Sequence, residues 1–191
     1  MKLNQRILWI VRTGILIALL VVLQGITAPA GQLVTGSCVN LILLLAVFLS
    51  GIWSGLTVAL LSPFFAFLFG IGPALLQLVP FIAVGNLIYV TVAWAIGHRG
   101  FTVRTLWGTV QGVVGIVIGA IAKFLFLWLG LSKGILPLFL NAGIIKAPQM
   151  EKFSAMFATP QLITALIGGV LTVPAVLLLQ KAFAKKTIMK R

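Results

Sequence analysis

The chain has 191 residues, 61% hydrophobic and only 8% charged, far below the roughly 25% charge of an ordinary globular domain, which excludes a soluble protein. Its net charge of +13 sets 14 Lys and Arg against a single acid, Glu151, a balance that in a soluble chain would indicate a nucleic-acid partner. Here the cations stand at the ends of apolar runs, and no basic stretch interleaves aromatics as a base-stacking groove would, so no nucleic acid is expected.

A crossing of the bilayer takes about 20 mostly apolar residues, so the length predicts an all-α bundle of six transmembrane helices, with 1–191 forming one domain. Hydropathy and Gly/Pro punctuation place the helices near 7–28, 36–51, 53–69, 75–96, 107–130 and 160–183. In the first, Lys2 and Arg6 precede an apolar run ending in Ala28-Pro29-Ala30, which loosely imitates a signal-peptide cleavage site. Arg12 interrupts that run and its length is unusual for a cleaved signal, so it is read as a membrane helix. Gly14-Ile-Leu-Ile-Ala18 is a small-x-x-x-small spacing that lets another helix approach closely, inside the bundle or from a partner.

Helices two and three are nearly continuous, and Gly51-Ile52-Trp53-Ser54-Gly55 is the one uncharged place to turn between them. Gly70-Ile-Gly-Pro73 ends helix three as a breaker cluster. The 131–159 connection mixes apolar stretches with Asn141, Gly143, Pro148 and Gln149, and is expected to be a re-entrant or surface-lying lid. An even number of crossings puts both termini on one side. Lys2, Arg6, Arg12, Arg99, Arg104, Lys181, Lys185, Lys186, Lys190 and Arg191 then share that side, which the positive-inside rule makes the cytoplasm.

No chemistry of bond-making is indicated. One carboxylate provides no acid–base pair, and one histidine (His98) and one cysteine (Cys38) provide no metal cluster, so neither catalytic residues nor metal nor cofactor are expected. Lys123 is the exception among the helix interiors: an ammonium within a membrane helix either meets a ligand or snorkels to the outer interface. Polar side chains gather in the outer halves of the helices: Gln24 and Thr27, Asn40, Gln77, Gln161 and Thr164, with Asn86 deeper. Each alone serves as interhelical glue. Together with Asn141, Phe64, Phe65, Phe67, Phe69 and Trp128 they are candidates to line an outward-facing pocket with a few orienting polar groups.

The succession of a basic N-terminus, a first helix with a small-residue face, Thr35-Gly-Ser-Cys-Val-Asn40, Gly51-Ile-Trp-Ser-Gly-Leu-Thr-Val58, Ser62-Pro-Phe-Phe-Ala-Phe67, Gly70-Ile-Gly-Pro73 and Gly85-Asn86 resembles the substrate-binding S components of energy-coupling factor vitamin transporters. The likeness implies a multi-pass protein of the bacterial plasma membrane. Such a protein captures a vitamin outside and docks on a membrane coupling protein driven by two ABC-type ATPases, with no hydrolysis of its own. Members often dock through an Ala-x-x-x-Ala face on helix one; the matching positions here are Gly14 with Ala18, or Ala18 with Val22. The chain is most similar to the pantothenate-type components. Lys123, with Lys146 from the lid, suits a carboxylate, and folate and biotin are the anionic competitors. Cobalamin is the alternative that would use Gln24, Asn40, Gln77 and Asn86 instead, and a stand-alone channel or a scaffold is the reading outside the family.

Overall fold

A computed structural model describes residues 3–103 and 106–188. Lys2, Arg104, Lys190 and Arg191, and the side chains of Lys185 and Lys186, all counted in the charge asymmetry above, lie outside the described residues. The remainder is helical, with no strand among the described residues. Helix α1 (Leu3–Thr27) ends in a 3-10 turn, Ala28–Ala30; α2 is Gln32–Ser50 and α3 Ile52–Leu68. A 3-10 turn at Leu76–Leu78 leads into α4 (Val79–Val103), and α5 is Leu106–Leu125. Then come a π-helical stretch at Phe126–Ile135, α6 (Leu136–Asn141), α7 (Ala147–Met156) and α8 (Thr159–Ile188).

Five segments are long and apolar enough to cross a membrane: Asn4–Ala30, Gln32–Ser50, Leu76–Arg99, Trp107–Asn141 and Ala147–Ala182. Helix α3, apolar but only 17 residues long, is the shorter companion. Large apolar side chains such as Ile26, Trp53, Leu68, Trp107 and Val170 are each more than two-thirds exposed. A soluble monomer does not leave surfaces of this kind to water, and the chain is a multi-pass membrane protein.

The core centres on α2. Its residues Ile42 to Val47 are all buried, the pattern of a helix apolar all round and packed on every side; α1, α3, α4 and α8 are its neighbours. The turn from α2 to α3 needs a single residue, Gly51 at φ 91°, a left-handed conformation that side chains disfavour. Gly55 then lets α3 fold back on α2, since a Cβ there would lie 2.7 Å from Val47 Cβ. A second seam joins α4 to α5, where a Cβ on Gly115 would meet Ala93 O at 2.7 Å and one on Gly119 would meet Tyr89 O at 2.9 Å. Small residues at these positions let the two backbones touch, the main packing force between helices in lipid.

The structure departs from the sequence expectation at the C-terminal ends of helices four and five. The helix continues without interruption to Asn141, although Gly130, Gly134 and Pro137 read as breakers. Pro137 falls in the first turn of α6, directly after the π-helical stretch, and the change of hydrogen-bonding ladder there accommodates the proline as well as both glycines. The expected lid is therefore helical: a turn through Gly143, then α7. It closes over a second apolar cluster of Leu78, Leu127, Leu131, Leu136, Ile145, Phe153 and Phe157. Helix α4 likewise runs on to Val103, into the segment expected to be a loop.

Candidate functional site

A cavity of about 540 Å³ opens at one end of the bundle. Its wall is made by the C-terminal part of α1 (Gln24) with the 3-10 turn after it (Ala28), the N-terminal half of α2 (Gln32 to Asn40), the C-terminal half of α3 (Ser62 to Phe67), the segment 70–74, and the start of α4 (Val79, Ile82, Asn86). Lys123 of α5, the inner face of α7 and Gln161 of α8 complete it. The volume lies in the range of about 300–1,000 Å³ typical of small-molecule sites.

The floor is set by close approach of α8 to α2. A Cβ on Gly168 would stand 2.7 Å from Asn40 Cβ, and one on Gly36 would stand 3.0 Å from Thr164 Cγ2. With both positions bare, Asn40 and Thr164 meet: Asn40 Nδ2 donates to Thr164 Oγ1 at 3.3 Å, and Thr164 donates in turn to Gln161 O at 3.2 Å. Because the amide's N–H faces Thr164, its Oδ1 faces the other way, and there it accepts from Lys123 Nζ at 2.8 Å. The ammonium also lies 5.5 Å from the centre of the Tyr89 ring, while Tyr89 is pinned by donation of its hydroxyl to Ala165 O at 2.8 Å.

Lys123 is thus 3% exposed and turned inward to α2, not outward to the interface. Taking an ammonium out of water costs several kcal/mol even after relaxation. A charge-assisted hydrogen bond contributes about 1.5–3 kcal/mol and a desolvated cation–π contact about 2 kcal/mol, which offset part of that penalty but supply no counter-charge. Among the described residues no carboxylate reaches it, and the chain's one acid, Glu151, is exposed on α7. The cavity wall therefore holds a buried lysine amine with no acidic partner among the described residues.

Another part of the lining is organised by Ser62. Pro63 has no N–H to donate to Ala59 O one turn back, and Ser62 Oγ donates there instead, at 3.3 Å. Asn86 Nδ2 donates to Ser62 Oγ at 3.0 Å, and Gln24 Nε2 reaches the Ser62 carbonyl at a long 3.4 Å. Gln24 Oε1 is buried with no partner, and an unmet buried acceptor costs about 1–3 kcal/mol. Above the cavity, the carbonyl of Met156 at the end of α7 accepts from Gln32 Nε2 at 2.9 Å and Gln161 Nε2 at 3.3 Å. Two glutamines so tie the lid's C-terminal end to α2 and α8.

Of the residues proposed from sequence, Gln24, Asn40, Phe67, Asn86, Lys123 and Gln161 come together in this lining, and Thr27, Thr164, Phe64, Phe65, Phe69 and Trp128 are not part of it. Gln77 is exposed in the 3-10 turn and Asn141 is exposed at the end of α6, both outside it. Lys146 starts α7, its backbone N–H on Gln149 Oε1, while Lys152 is the lid lysine that reaches the lining. Ser62, Thr35, Gln149 and Phe153 were not anticipated; a Ser-Pro pair inside an apolar helix was the signal for the first of them. On α1, Gly14, Ala18 and Val22 share an exposed face, and a Cβ on Gly14 would meet nothing within 4 Å.

No curated protein and no solved structure matches the chain. A family model described as "ECF transporter, substrate-specific component" matches residues 9–180, a stretch that includes every residue lining the cavity, and the chain belongs to this family of membrane transport subunits, which bind substrate and are not enzymes.

Proposed function

We propose that the cavity takes a vitamin carboxylate from outside the cell, pantothenate before folate or biotin. The loaded bundle then passes it inward through a membrane coupling protein driven by two ABC-type ATPases. The observation that carries this reading is Lys123, whose amine is buried in the cavity wall with no acid to pair it. A carboxylate arriving there supplies the missing counter-charge in a low-dielectric site, where a charge-assisted hydrogen bond is roughly twice as strong as a neutral one. A cationic vitamin would meet repulsion. A corrin-sized ligand would overfill about 540 Å³, which favours a small acid over cobalamin.

The direction of capture follows from charge. With α3 counted as a short sixth span, both termini share the cytoplasmic side with Arg6, Arg12, Arg99 and Lys181, and the cavity, at the opposite end of those helices, faces out. Titration of the detergent-purified protein with pantothenate, folate, biotin and cobalamin tests the reading; binding of cobalamin alone would overturn it.

Two further outcomes are expected. Thr164→Val keeps the shape of the side chain but removes the hydroxyl that orients Asn40, so pantothenate affinity should fall about tenfold, the scale of one hydrogen bond. Thr164→Ser should restore most of it. Equal affinity in Thr164→Val and the wild type would remove Thr164 from the chain of contacts. Docking is assigned to the exposed face of α1, the least buried of the candidate spans, at 17% of its apolar window against 33–50% for the others. Ala18→Trp should accordingly abolish uptake by the complete transporter while leaving vitamin binding to the isolated bundle unchanged. Loss of both would place Ala18 in internal packing.

A further inference from the structure

The backbone between Lys123 and the lid follows a different ladder from the helices around it. Residues Phe126–Ile135 form a π-helix, and the N–H of Leu136 reaches back five residues to Leu131 O. Such stretches are mostly single turns set into an α-helix and are frequent at functional sites; this one runs for ten residues. Ser132 lies inside it, 3% exposed, and its Oγ has no hydrogen-bond partner among the described residues. Elsewhere the hydroxyls of Thr27, Ser37, Ser54, Thr57 and Thr172 each donate to the carbonyl four residues back, at 2.6–3.4 Å. On an α-helical ladder the same bond would join Ser132 to Trp128 O. The π register forgoes it.

What the π register supplies instead is a common face. Leu127, Leu131 and Leu136, four and five residues apart, are fully buried in one cluster with Phe153 and Phe157 of the lid. A ladder to the fifth residue turns about once in 4.4 residues, so the steps from Leu127 to Leu136 make about two whole turns and all three leucines face the lid. At about 3.6 residues per turn the same steps make about two and a half turns, and Leu136 would point away from Leu127. We infer that 126–135 is a two-register switch geared to the lid: π while Phe153 and Phe157 sit on the three leucines, and α once they lift, when Leu136 turns out and Ser132 gains Trp128 O. Gly130 and Gly134 leave the backbone room to change ladder, since a Cβ on either would meet nothing closer than 3.5 Å. Helix α7 lends Gln149, Lys152 and Phe153 to the cavity lining, and Gln32 and Gln161 hold its far end at Met156 O. The register of the stretch thus decides whether that side of the cavity is walled. The inference rests on packing and holds whatever ligand the cavity takes.

The test is a spin-label distance measurement on the purified full-length protein without ligand. In a Cys38→Ser background, one label is placed at Lys133→Cys inside the stretch and one at Ile163→Cys on α8, both exposed positions. A change of ladder carries position 133 about a third of a turn round the helix axis, so the two registers give two distances. Phe153→Ala, which weakens the seat of the lid without altering the stretch, should raise the population of the second distance by about tenfold or more. Leu136→Ala should do the same from the other side of the contact. Adding Ser132→Ala to Phe153→Ala removes the bond that the α register gains and should reverse the rise by about fivefold to tenfold, the scale of one hydrogen bond. A single distance shared by the parent and both lid variants would overturn the switch. A second distance that Ser132→Ala leaves untouched would overturn it too, because the lid would then move without a change of register.

Discussion

Lys123→Met is expected to weaken pantothenate binding by roughly two orders of magnitude while leaving the empty protein as stable as the wild type or more so. The two effects have one cause. Truncating one partner of a buried charge pair costs about 2–5 kcal/mol of binding, whereas replacing an unpaired buried charge by an apolar side chain of similar length relieves a desolvation penalty. The empty state loses the hydrogen bond to Asn40 Oδ1 at 2.8 Å and the contact with the Tyr89 ring, and the relieved desolvation offsets both. Lys123→Arg should also bind poorly, because a planar guanidinium does not reproduce a point charge seated between Asn40 and the Tyr89 ring. Titration with pantothenate and thermal unfolding in detergent, measured on the same preparations, check both signs. A variant that binds normally would mean the ammonium does not face the ligand. A variant that binds weakly and also melts early would mean that Lys123 is structural.

Gly168→Val is expected to remove both stability and binding. Its first added atom would stand 2.8 Å from Leu41 N and 2.8 Å from Ser37 O as well as 2.7 Å from Asn40 Cβ, and backbone atoms of α2 cannot step aside as a flexible side chain would. Overpacking of this kind costs about 1–3 kcal/mol or more. Here it also pushes apart the two helices whose contact lets Thr164 orient Asn40, so the Lys123 ammonium loses its seat. Gly14→Val is the control: it lies on the outer face of α1 with open space around it, and should leave melting temperature and vitamin binding unchanged while interfering with uptake by the complete transporter. Thermal unfolding and titration of the two variants side by side separate internal packing from partner contact.

The contrast between these two glycines shows what the sequence made legible. Its small-residue spacing drew attention to Gly14 and Ala18, and periodicity alone left open whether they pack inside the bundle or against a partner. The seams that hold the fold run instead through Gly36 and Gly168, Gly97 and Gly115, and Gly119. Their significance lies in which backbone they face, and a one-dimensional pattern does not contain that. The order of the apolar helices was readable because lipid requires long apolar runs. The extension of α5 through the π-helical stretch was not, because glycine and proline that break a helix elsewhere are tolerated where the hydrogen-bond register changes.

At the site, Lys123, Asn40, Asn86 and Gln24 stood out as polar residues in apolar surroundings, and the fold brings all four to one cavity. Gln77 and Asn141 carried the same signal but sit beside segment ends, where exposure satisfies an amide without any neighbour. Ser62 gave a weaker signal than either. Its role depends on Pro63 stripping a donor from the turn before it and on α1 and α4 arriving from either side, and those contacts exist only in three dimensions.

The central claim is that the buried ammonium of Lys123 receives the acid of a small vitamin, and mass spectrometry of the small molecules released from purified wild type and Lys123→Met tests it most directly. A carboxylate vitamin, pantothenate, is expected in near-stoichiometric amount from the wild type and none from the variant. A neutral or cationic molecule from the wild type, or the same molecule in the same amount from both, would contradict it.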